Sequence, residues 1–308
     1  MATTTSITTT YAGEFAGKYI SAALLSADTI EGGGITIKPN VKYKEVMKTL
    51  STDAIVKDAT CDFSDTSTIT LAEKILQPEE FQVNLELCKS DFASDWEAIS
   101  MGYSAFDELP SNFADFLIGH VAAKVAQKTE QTIWTGATAN AGEFNGFGAL
   151  LAADADVVDV TGTSVTAANV ITEMGKVVDA IPTSVYGKED LYIYVSSNVA
   201  RAYVRALGGF GASGLGANGV RNEGTTWFNN QDLAFDGVKI FVASGMADNT
   251  MVAAQKSNLF FGTGLLADSN EVKILDMADL DGSKNVRVVM RYTAGVQIGI
   301  GADIVYYA

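Results

Sequence analysis

One long stretch of the chain, Asn112–Gly136, constrains the fold most strongly. Its apolar side chains recur at helical spacing, while four polar ones (Lys124, Lys128, Glu130 and Gln131) occupy the remaining positions. Pro110 bars helical extension on one side, and Gly136 is a typical stop on the other. At 1.5 Å per residue the predicted helix is a rod of roughly 36 Å. Segments before it have an extended pattern and segments after it alternate between helix and strand, so it is predicted to be a spine that joins two unlike halves.

The charge balance excludes one broad class of function. The chain of 308 residues has 37 acidic and 21 basic side chains and a formal net charge of -16. A protein that wraps nucleic acid through phosphate contacts needs clustered Lys and Arg, so this chain is a poor candidate for that role. With 47% hydrophobic and 19% charged residues, the chain as a whole is predicted to be folded.

Positive charge is concentrated in one early segment, which contains Lys38, Lys42, Lys44, Lys48 and Lys57. Only Glu45 and Asp53 oppose these lysines there. Two interpretations stay open. The lysines form a solvated surface, or they form a basic arm that contacts an acidic neighbouring subunit.

The sequence offers no catalytic, metal or cofactor site, and the chain is predicted not to be an enzyme. His120 is the single histidine, and it falls in the middle of the predicted spine helix. The glycines between Gly208 and Gly219 follow a helix, whereas a phosphate-binding loop lies between a strand and a helix. The aspartates from Asp53 to Asp65 lack the spacing and the terminal Glu of a calcium loop.

Two cysteines, Cys61 and Cys88, are too few for a disulfide scaffold. We expect buried free thiols, with a bridge between them as the alternative. Neither a signal peptide nor an apolar run long enough to span a bilayer is visible, so no membrane association is expected.

The first third of the chain reads as extended. Residues 35–47 are predicted to form a strand, placed at a sheet edge by Pro39. Further strands are predicted at Ala54–Phe63, Thr68–Leu71 and Phe81–Leu87. Together the strands between residues 50 and 92 are predicted to form a long two-stranded ribbon. Because an isolated hairpin is only marginally stable in water, this ribbon is predicted to lie against a neighbouring copy of the chain.

The remainder alternates between helices and strands. A short helix is expected at Asp91–Tyr103 and a long loop between Gly136 and Val165. A helix over 170–181, capped by Thr166 and ended by Pro182, precedes a strand at Leu191–Val195. The next helix is predicted to turn Val199, Tyr203, Ala206 and Leu207 inward, and a Gly-rich loop follows it. The next predicted strand contains Val238, Ile240 and Val242. Short strands are predicted at Met251–Ala254 and Val272–Leu275, and two closing strands at Val286–Tyr292 and Val296–Tyr306.

This order of elements resembles the major capsid protein of tailed double-stranded DNA bacteriophages, which has the Hong Kong 97-type fold. The matching segments are the spine helix, the run Val170–Leu207, the segment Phe235–Met246 and the closing strands. The resemblance implies an α+β fold. Its parts would be an N-terminal arm (1–45), an extended β loop called the E-loop (46–92), a peripheral domain with the spine helix (93–165), an axial domain (166–256) and closing peripheral strands (257–308).

The resemblance also implies a function. The chain would be a structural protein that self-assembles into pentamers and hexamers of an icosahedral virion shell enclosing DNA without binding it specifically. Its partners would be other copies of itself, a portal, a separate scaffolding protein and decoration proteins, with assembly in the host cytoplasm. Some members form crosslinks between subunits. Lys57 or Lys74 is in the right region for one, but no motif in this chain fixes a partner residue, so no crosslink is predicted. The alternative is an encapsulin-like compartment that holds a cargo enzyme.

Overall fold

The computed structural model describes residues 28–52, 55–59, 61–88, 111–208, 233–264, 273–278 and 282–308. They belong to two compact units. One unit takes its described residues from 80–128 and 265–293, and the other takes them from 27–79, 129–264 and 294–308. We call them the first and the second unit. The expected helix at Asp91–Tyr103 and the Gly-rich loop after Gly208 lie outside the described residues.

The described residues contain five α-helices: α1 (Asp28–Glu31), α2 (Ser111–Thr135), α3 (Phe147–Ala153), α4 (Val170–Asp179) and α5 (Ser197–Gly208). The described strands are β1 (Thr36–Lys38), β2 (Glu45–Thr52), β3 (Ile69–Leu76), β4 (Glu79–Cys88), β5 (Val158–Val160), β6 (Leu191–Ser196), β7 (Ala234–Phe235), β8 (Val238–Ala243), β9 (Met251–Gln255), β10 (Leu259–Gly262), β11 (Lys273–Asp276), β12 (Asn285–Ile298) and β13 (Val305–Tyr307). Short 3-10 turns lie at Lys256–Asn258 and Gly301–Asp303.

Helix α2 is the predicted spine, and its 25 residues confirm the long helical signal. It contributes to both units, since the division falls between Lys128 and Thr129. One prediction about its surface was wrong. Glu130, assigned to the polar face, is fully buried.

The first unit contains an antiparallel pair formed by β11 and the first half of β12, with Ile274 opposite Val288. Strand β4 also pairs with β12. Alternate side chains of β12 (Val286, Val288 and Met290) are buried. This period of two matches the sequence pattern and marks one face of the strand as core.

The second unit is built on a six-stranded sheet with the order β5-β13-β9-β6-β8-β7. Strand β6 is parallel to β8 and antiparallel to β9. Its residues Leu191, Ile193 and Val195 pack with helices α4 and α5 in one apolar core. Tyr194, on the opposite face of the strand, contacts the rings of Trp134 and Phe241. A strand covered on both faces reads as a continuous apolar run, which explains the sequence LYIYV.

The same unit contains part of a second sheet. In it, β1 pairs in parallel with β10, and β10 pairs antiparallel with the second half of β12. Strand β1 is terminal in the sheet order, so the edge position predicted from Pro39 is confirmed. Strand β1 ends at Lys38, however, and Asn40 follows with a positive φ of 65°. This turn interrupts the single strand that was predicted over residues 35–47.

The first strand of the long ribbon is not where it was predicted. Strands β2 and β3 pair antiparallel from Glu45 opposite Leu76 to Thr52 opposite Ile69. The predicted strand at Ala54–Phe63 falls instead in the connecting loop, and its described residues have no strand structure. Asp58 and Asp62 in that stretch disfavour strand, and the β-branched neighbours did not outweigh them.

The loop predicted between Gly136 and Val165 contains helix α3 and strand β5. Phe147 and Leu151, one helical turn apart, are fully buried and hold α3 in place. The short β5 pairs in parallel with β13, with Val158 opposite Val305. A three-residue strand supported by such long-range pairing leaves little local signal in the sequence.

Three further predictions need correction. Leu207 is 47% exposed and does not face inward. Asn169 stands at the N-cap of α4, where no side chain caps the helix, and Thr166 contributes its carbonyl instead. The two predicted closing strands are one strand of 14 residues, β12, followed by β13. Gly295 does not break β12. A Cβ there would lie 2.9 Å from the Gln77 carbonyl oxygen, so glycine permits the close approach of two backbones.

Candidate functional site

The most unusual surface of the described residues is the β2–β3 ribbon. In an antiparallel ladder, directly opposed residues share a face, and every second pair lies on the same side. One face therefore carries the apolar pairs Val46 with Ile75 and Leu50 with Leu71, and also Thr52 with Ile69. The charged pair of Lys48 with Glu73 lies on the same face, between the two apolar pairs. We call it the apolar face of the ribbon. Leu50 is 64% exposed and Leu71 is 69% exposed.

The loop at the end of the ribbon, the ribbon tip, is also apolar and exposed. Ile55 is 65% exposed, Val56 86% and Phe63 96%. Lys57 donates hydrogen bonds to the backbone carbonyl and the hydroxyl of Ser64, which ties the two sides of the loop together. The tip thus presents large apolar side chains that its own chain does not cover.

The base of the ribbon is attached to the second unit. Lys74 Nζ lies 2.5 Å from Asp154 Oδ2, just after helix α3. The Gln297 side chain donates to the carbonyl of Ile75 at 2.8 Å, and Leu76 is fully buried. The ribbon is therefore held at one end and exposed along the rest of its length.

The surroundings of Asp154 stabilise the charged form of its carboxyl. The hydrogen bond from Lys74 holds the pKa of the Asp154 carboxyl below its usual range, against the opposing effect of desolvation. The backbone N–H of Asp156 also donates to Asp154 and lowers this pKa further. The ion pair is consequently present at neutral pH, and it fixes the base of the ribbon.

The five lysines proposed as inter-subunit contacts lie between β1 and the ribbon tip. Lys38 has a partner within the chain, since its Nζ lies 2.5 Å from Glu45 and 5.3 Å from the centre of the Phe260 ring. The other four (Lys42, Lys44, Lys48 and Lys57) are exposed. Lys48 lies opposite Glu73 in the β2–β3 ladder.

Sequence reasoning missed the attachment of the segment that precedes the ribbon. The buried carboxylate of Glu130 accepts hydrogen bonds from the backbone N–H and the hydroxyl of Thr29, at 3.1 and 2.5 Å. The Trp134 indole donates to the same hydroxyl at 2.9 Å. No local sequence signal indicated this contact, because Thr29 and Glu130 are 101 residues apart.

A second contact holds the same segment five residues later. The buried Tyr194 hydroxyl donates to the carbonyl of Gly34. A Cβ on Gly34 would lie 2.7 Å from the Phe241 ring, so only glycine fits there. The chain before the ribbon is therefore anchored to the sheet and spine helix of the second unit.

The other sequence-derived candidates do not form a chemical site within the described residues. Cys61 and Cys88 are not joined by a disulfide, so the bridge between them is absent. Cys61 is exposed, which contradicts the expectation of a buried thiol. His120 is half-buried on α2. No group of His, Cys, Asp and Glu in the described part of the chain could hold a metal ion, and none of its helices is long and apolar enough to cross a membrane.

Comparison with solved structures identifies the fold of this chain, whereas comparison with protein families does not. No model of a protein family matches the sequence, and no curated protein matches it. Among solved structures, the capsid of the native GTA particle is 14% identical, with a TM-score of 0.64 over 94% of this chain and 93% of the other. The capsid of Myoviridae phage XM1 is 12% identical, with a TM-score of 0.60 over 95% and 94%.

The chain has the Hong Kong 97-type fold. The resemblance that the order of elements indicated is thus confirmed at the level of architecture. The capsid of cyanophage P-SCSP1u agrees, at 12% identity and a TM-score of 0.54 over 97% of this chain and 91% of the other. Such low identities leave the function to be argued from the molecule itself.

Proposed function

We propose that this chain is the structural major capsid protein of a tailed double-stranded DNA bacteriophage. It self-assembles into pentamers and hexamers of an icosahedral shell that encloses the genome, and it is not an enzyme. The observation that carries this proposal is the ribbon, which is anchored at its base and presents an uncovered apolar face. Leu50, Leu71 and Ile69 are neighbours on that face, and exposed apolar surface of this kind marks a protein interaction site.

The ribbon would act by burying its apolar face on a neighbouring copy. Leu50 and Leu71 oppose each other on that face and are more than half exposed in the single chain. Covering each such side chain contributes roughly 1–2 kcal/mol. Because every copy both gives and receives a ribbon, these contributions add up over the shell, and stability belongs to the assembly.

Electrostatics would add to this contact. The four exposed lysines between residues 42 and 57 stand on a chain with a net charge of -16, so a neighbouring copy offers many carboxylates as partners. The same net charge suits a shell wall that encloses DNA without binding it tightly. Lys38, already paired with Glu45, has less to contribute.

The remaining partners follow from the proposed role. A portal, a separate scaffolding protein and decoration proteins would meet this chain in the virion, which would assemble in the host cytoplasm. The encapsulin-like alternative is not favoured, because the similar solved structures described above are capsids of phages and of the GTA particle.

Electron microscopy and content analysis of the purified chain test the proposal together. The chain is expressed alone and with lysate of phage-infected cells, stained, and examined for rings and closed shells. Shells from infected lysate should contain nuclease-protected double-stranded DNA. Shells that hold a single cargo protein would support the compartment instead. A chain that stays monomeric under both conditions would contradict both functions.

A further inference from the structure

The second unit contains an open cleft lined mainly by small and apolar residues. It has a volume of about 240 Å³ and lies where the end of α2, the start of α3, the turn after β8 and strand β13 meet. Its lining includes Trp134, Gly136, Gly148, Met246, Val252 and Tyr306. Small and apolar residues dominate it, so the lining offers few hydrogen-bonding groups to a polar ligand.

Tyr306, which lines the cleft, is half-buried. Burial raises the pKa of the Tyr306 phenol, and the Asp159 carboxylate opposite it in the ladder adds to this rise. A dry cavity of about 150 Å³ accommodates a benzene ring in another protein. The cleft is therefore large enough for one aromatic side chain.

The same chain carries side chains of the matching shape and chemistry at the ribbon tip. Phe63 and Val56 are 96% and 86% exposed, so neither occupies the cleft of its own chain. The ribbon base is fixed by Lys74 to Asp154, directly after the helix whose Gly148 lines the cleft. From Lys74 to Ile69, where β3 begins beside the tip, the ladder extends roughly 17 Å, which keeps the tip away from that cleft.

We propose that the ribbon tip of one copy inserts Phe63, flanked by Val56, into this cleft on a second copy. Each copy then gives a tip on one surface and receives one on another. A contact between two different surfaces generates a closed ring when the rotation closes. The proposal rests on the proposed function, and it assigns the residues that the ribbon and its receiving surface use.

The area involved is adequate for a specific interface. The ribbon tip and the apolar face together expose eight large apolar side chains: Val46, Leu50, Ile55, Val56, Phe63, Ile69, Leu71 and Ile75. At on the order of 100 Å² each, they offer roughly 800 Å², which is what one partner contributes to a standard interface. The tip contact is thus continuous with the burial of the apolar face.

Charges surround this contact without driving it. The tip carries Asp58 and Asp62, and exposed Asp159 and Asp248 lie beside Tyr306 and Ala247 of the cleft. Because the carboxylates on both sides have the same sign, they oppose the contact, and only the apolar centre favours it. Phe63 is consequently the residue on which the contact depends most.

Cross-linking between copies tests the proposal directly. Native Cys61 is exposed and lies two residues from Phe63, at most roughly 7 Å along the chain. Ala247 is an exposed lining residue of the cleft. In the variant Ala247→Cys with Cys88→Ser, a short bismaleimide should join Cys61 to residue 247 of another copy. A denaturing gel should then show a ladder of multimers.

The control carries Ser184→Cys in place of Ala247→Cys, at an exposed position beyond the other end of α4 that does not line the cleft. Closed shells without a ladder would overturn the tip contact and leave the proposed function standing. An equal ladder in the control, or cross-linked peptides without Cys61, would also overturn it. Failure of the parent chain to assemble at all would contradict the proposed function as well.

A pair of variants supplies an independent measurement. Phe63→Ser should raise the subunit concentration needed for assembly about tenfold or more, because a buried Phe becomes a serine. Ala247→Trp, which fills the cleft, should have the same effect from the other side. Ile171→Ser, a matched loss of a 45% exposed apolar side chain on α4, should change that concentration less than twofold. Equal effects of Phe63→Ser and Ile171→Ser would contradict the proposal.

Discussion

At the residue scale, buried polar contacts hold the last strand of the chain in the second unit. The hydroxyl of buried Tyr307 donates to Glu173 Oε2 at 2.7 Å and accepts from the N–H of Thr163 at 2.9 Å. Lys176 also donates to Glu173, at 2.8 and 2.9 Å. The hydrogen bond from Lys176, followed by that from Tyr307, holds the pKa of the Glu173 carboxyl below its usual range.

The variant Tyr307→Phe should lower the free energy of unfolding by about 1–2 kcal/mol, because a buried carboxylate loses one of its donors. Urea denaturation followed by circular dichroism measures this change. Tyr186→Phe is the matched control. That hydroxyl is on an exposed residue and donates to the carbonyl of Asp236 at 3.2 Å, so its loss should cost less than about 0.5 kcal/mol. Equal losses in the two variants would contradict the assigned role of Tyr307.

At the scale of elements, the ion pair between Lys74 and Asp154 makes the attachment of the ribbon dependent on pH. The folded-state pKa of Asp154 lies below its ordinary value of 3.8. The pair therefore contributes fully above that ordinary value, and its contribution is lost as pH falls through the lower folded-state value. Protection of the ribbon against hydrogen exchange should accordingly weaken only in acid.

Asp154→Asn tests this dependence. At pH 7 it should destabilise the attachment by up to about 1 kcal/mol, because it removes one partly exposed ion pair. Below the folded-state pKa of Asp154 the variant and the parent chain should converge. Hydrogen exchange of the β2–β3 amides at several pH values provides the measurement. A difference between variant and parent that is constant from neutral to strongly acidic pH would rule out the carboxylate as its cause.

The elements also show what local sequence can and cannot predict. Helix α2 was predicted within one residue at each end, since its apolar spacing persists over 25 residues and Gly136 follows. Strand β6 was equally clear from its apolar run. The short β5 and β10 were missed because partners distant in sequence, β13 and β12, define them. Likewise, the register of β2 and β3 depends on cross-strand pairing, so Ala54–Phe63 was mistaken for a strand.

Some features of the candidate site could also be predicted from the sequence, and others could not. The lysine cluster and the presence of a long two-stranded ribbon could be predicted from the sequence. Its apolar face was not, because it exists only once Leu50 is paired with Leu71. The buried role of Glu130 was also hidden, since its partner Thr29 lies 101 residues away. Long-range contacts, rather than residue types, account for both omissions.

At the scale of the whole molecule, the uneven charge predicts how assembly responds to salt. Replacing Lys42, Lys44, Lys48 and Lys57 together by Gln should weaken the formation of capsomers in dilute buffer and reduce its dependence on salt. Exposed ion pairs are screened at high ionic strength, so the parent chain and the variant should become more alike there. Light scattering over a salt series measures this. Identical salt curves for variant and parent would remove the lysines from the interface.

The most direct test of the account is sedimentation of the parent chain beside the variant Leu50→Lys with Leu71→Asp. Two charges on the apolar face should abolish its burial on a neighbour, while the single chain stays folded because both positions are exposed and the opposed charges attract each other. Incubated with lysate of phage-infected cells as a source of the scaffolding protein, the parent should sediment as rings or shells. The variant should sediment as a folded monomer of 32.5 kDa, with an unchanged circular dichroism spectrum. Shells formed equally well by both proteins would contradict the claim that the ribbon holds the assembly together.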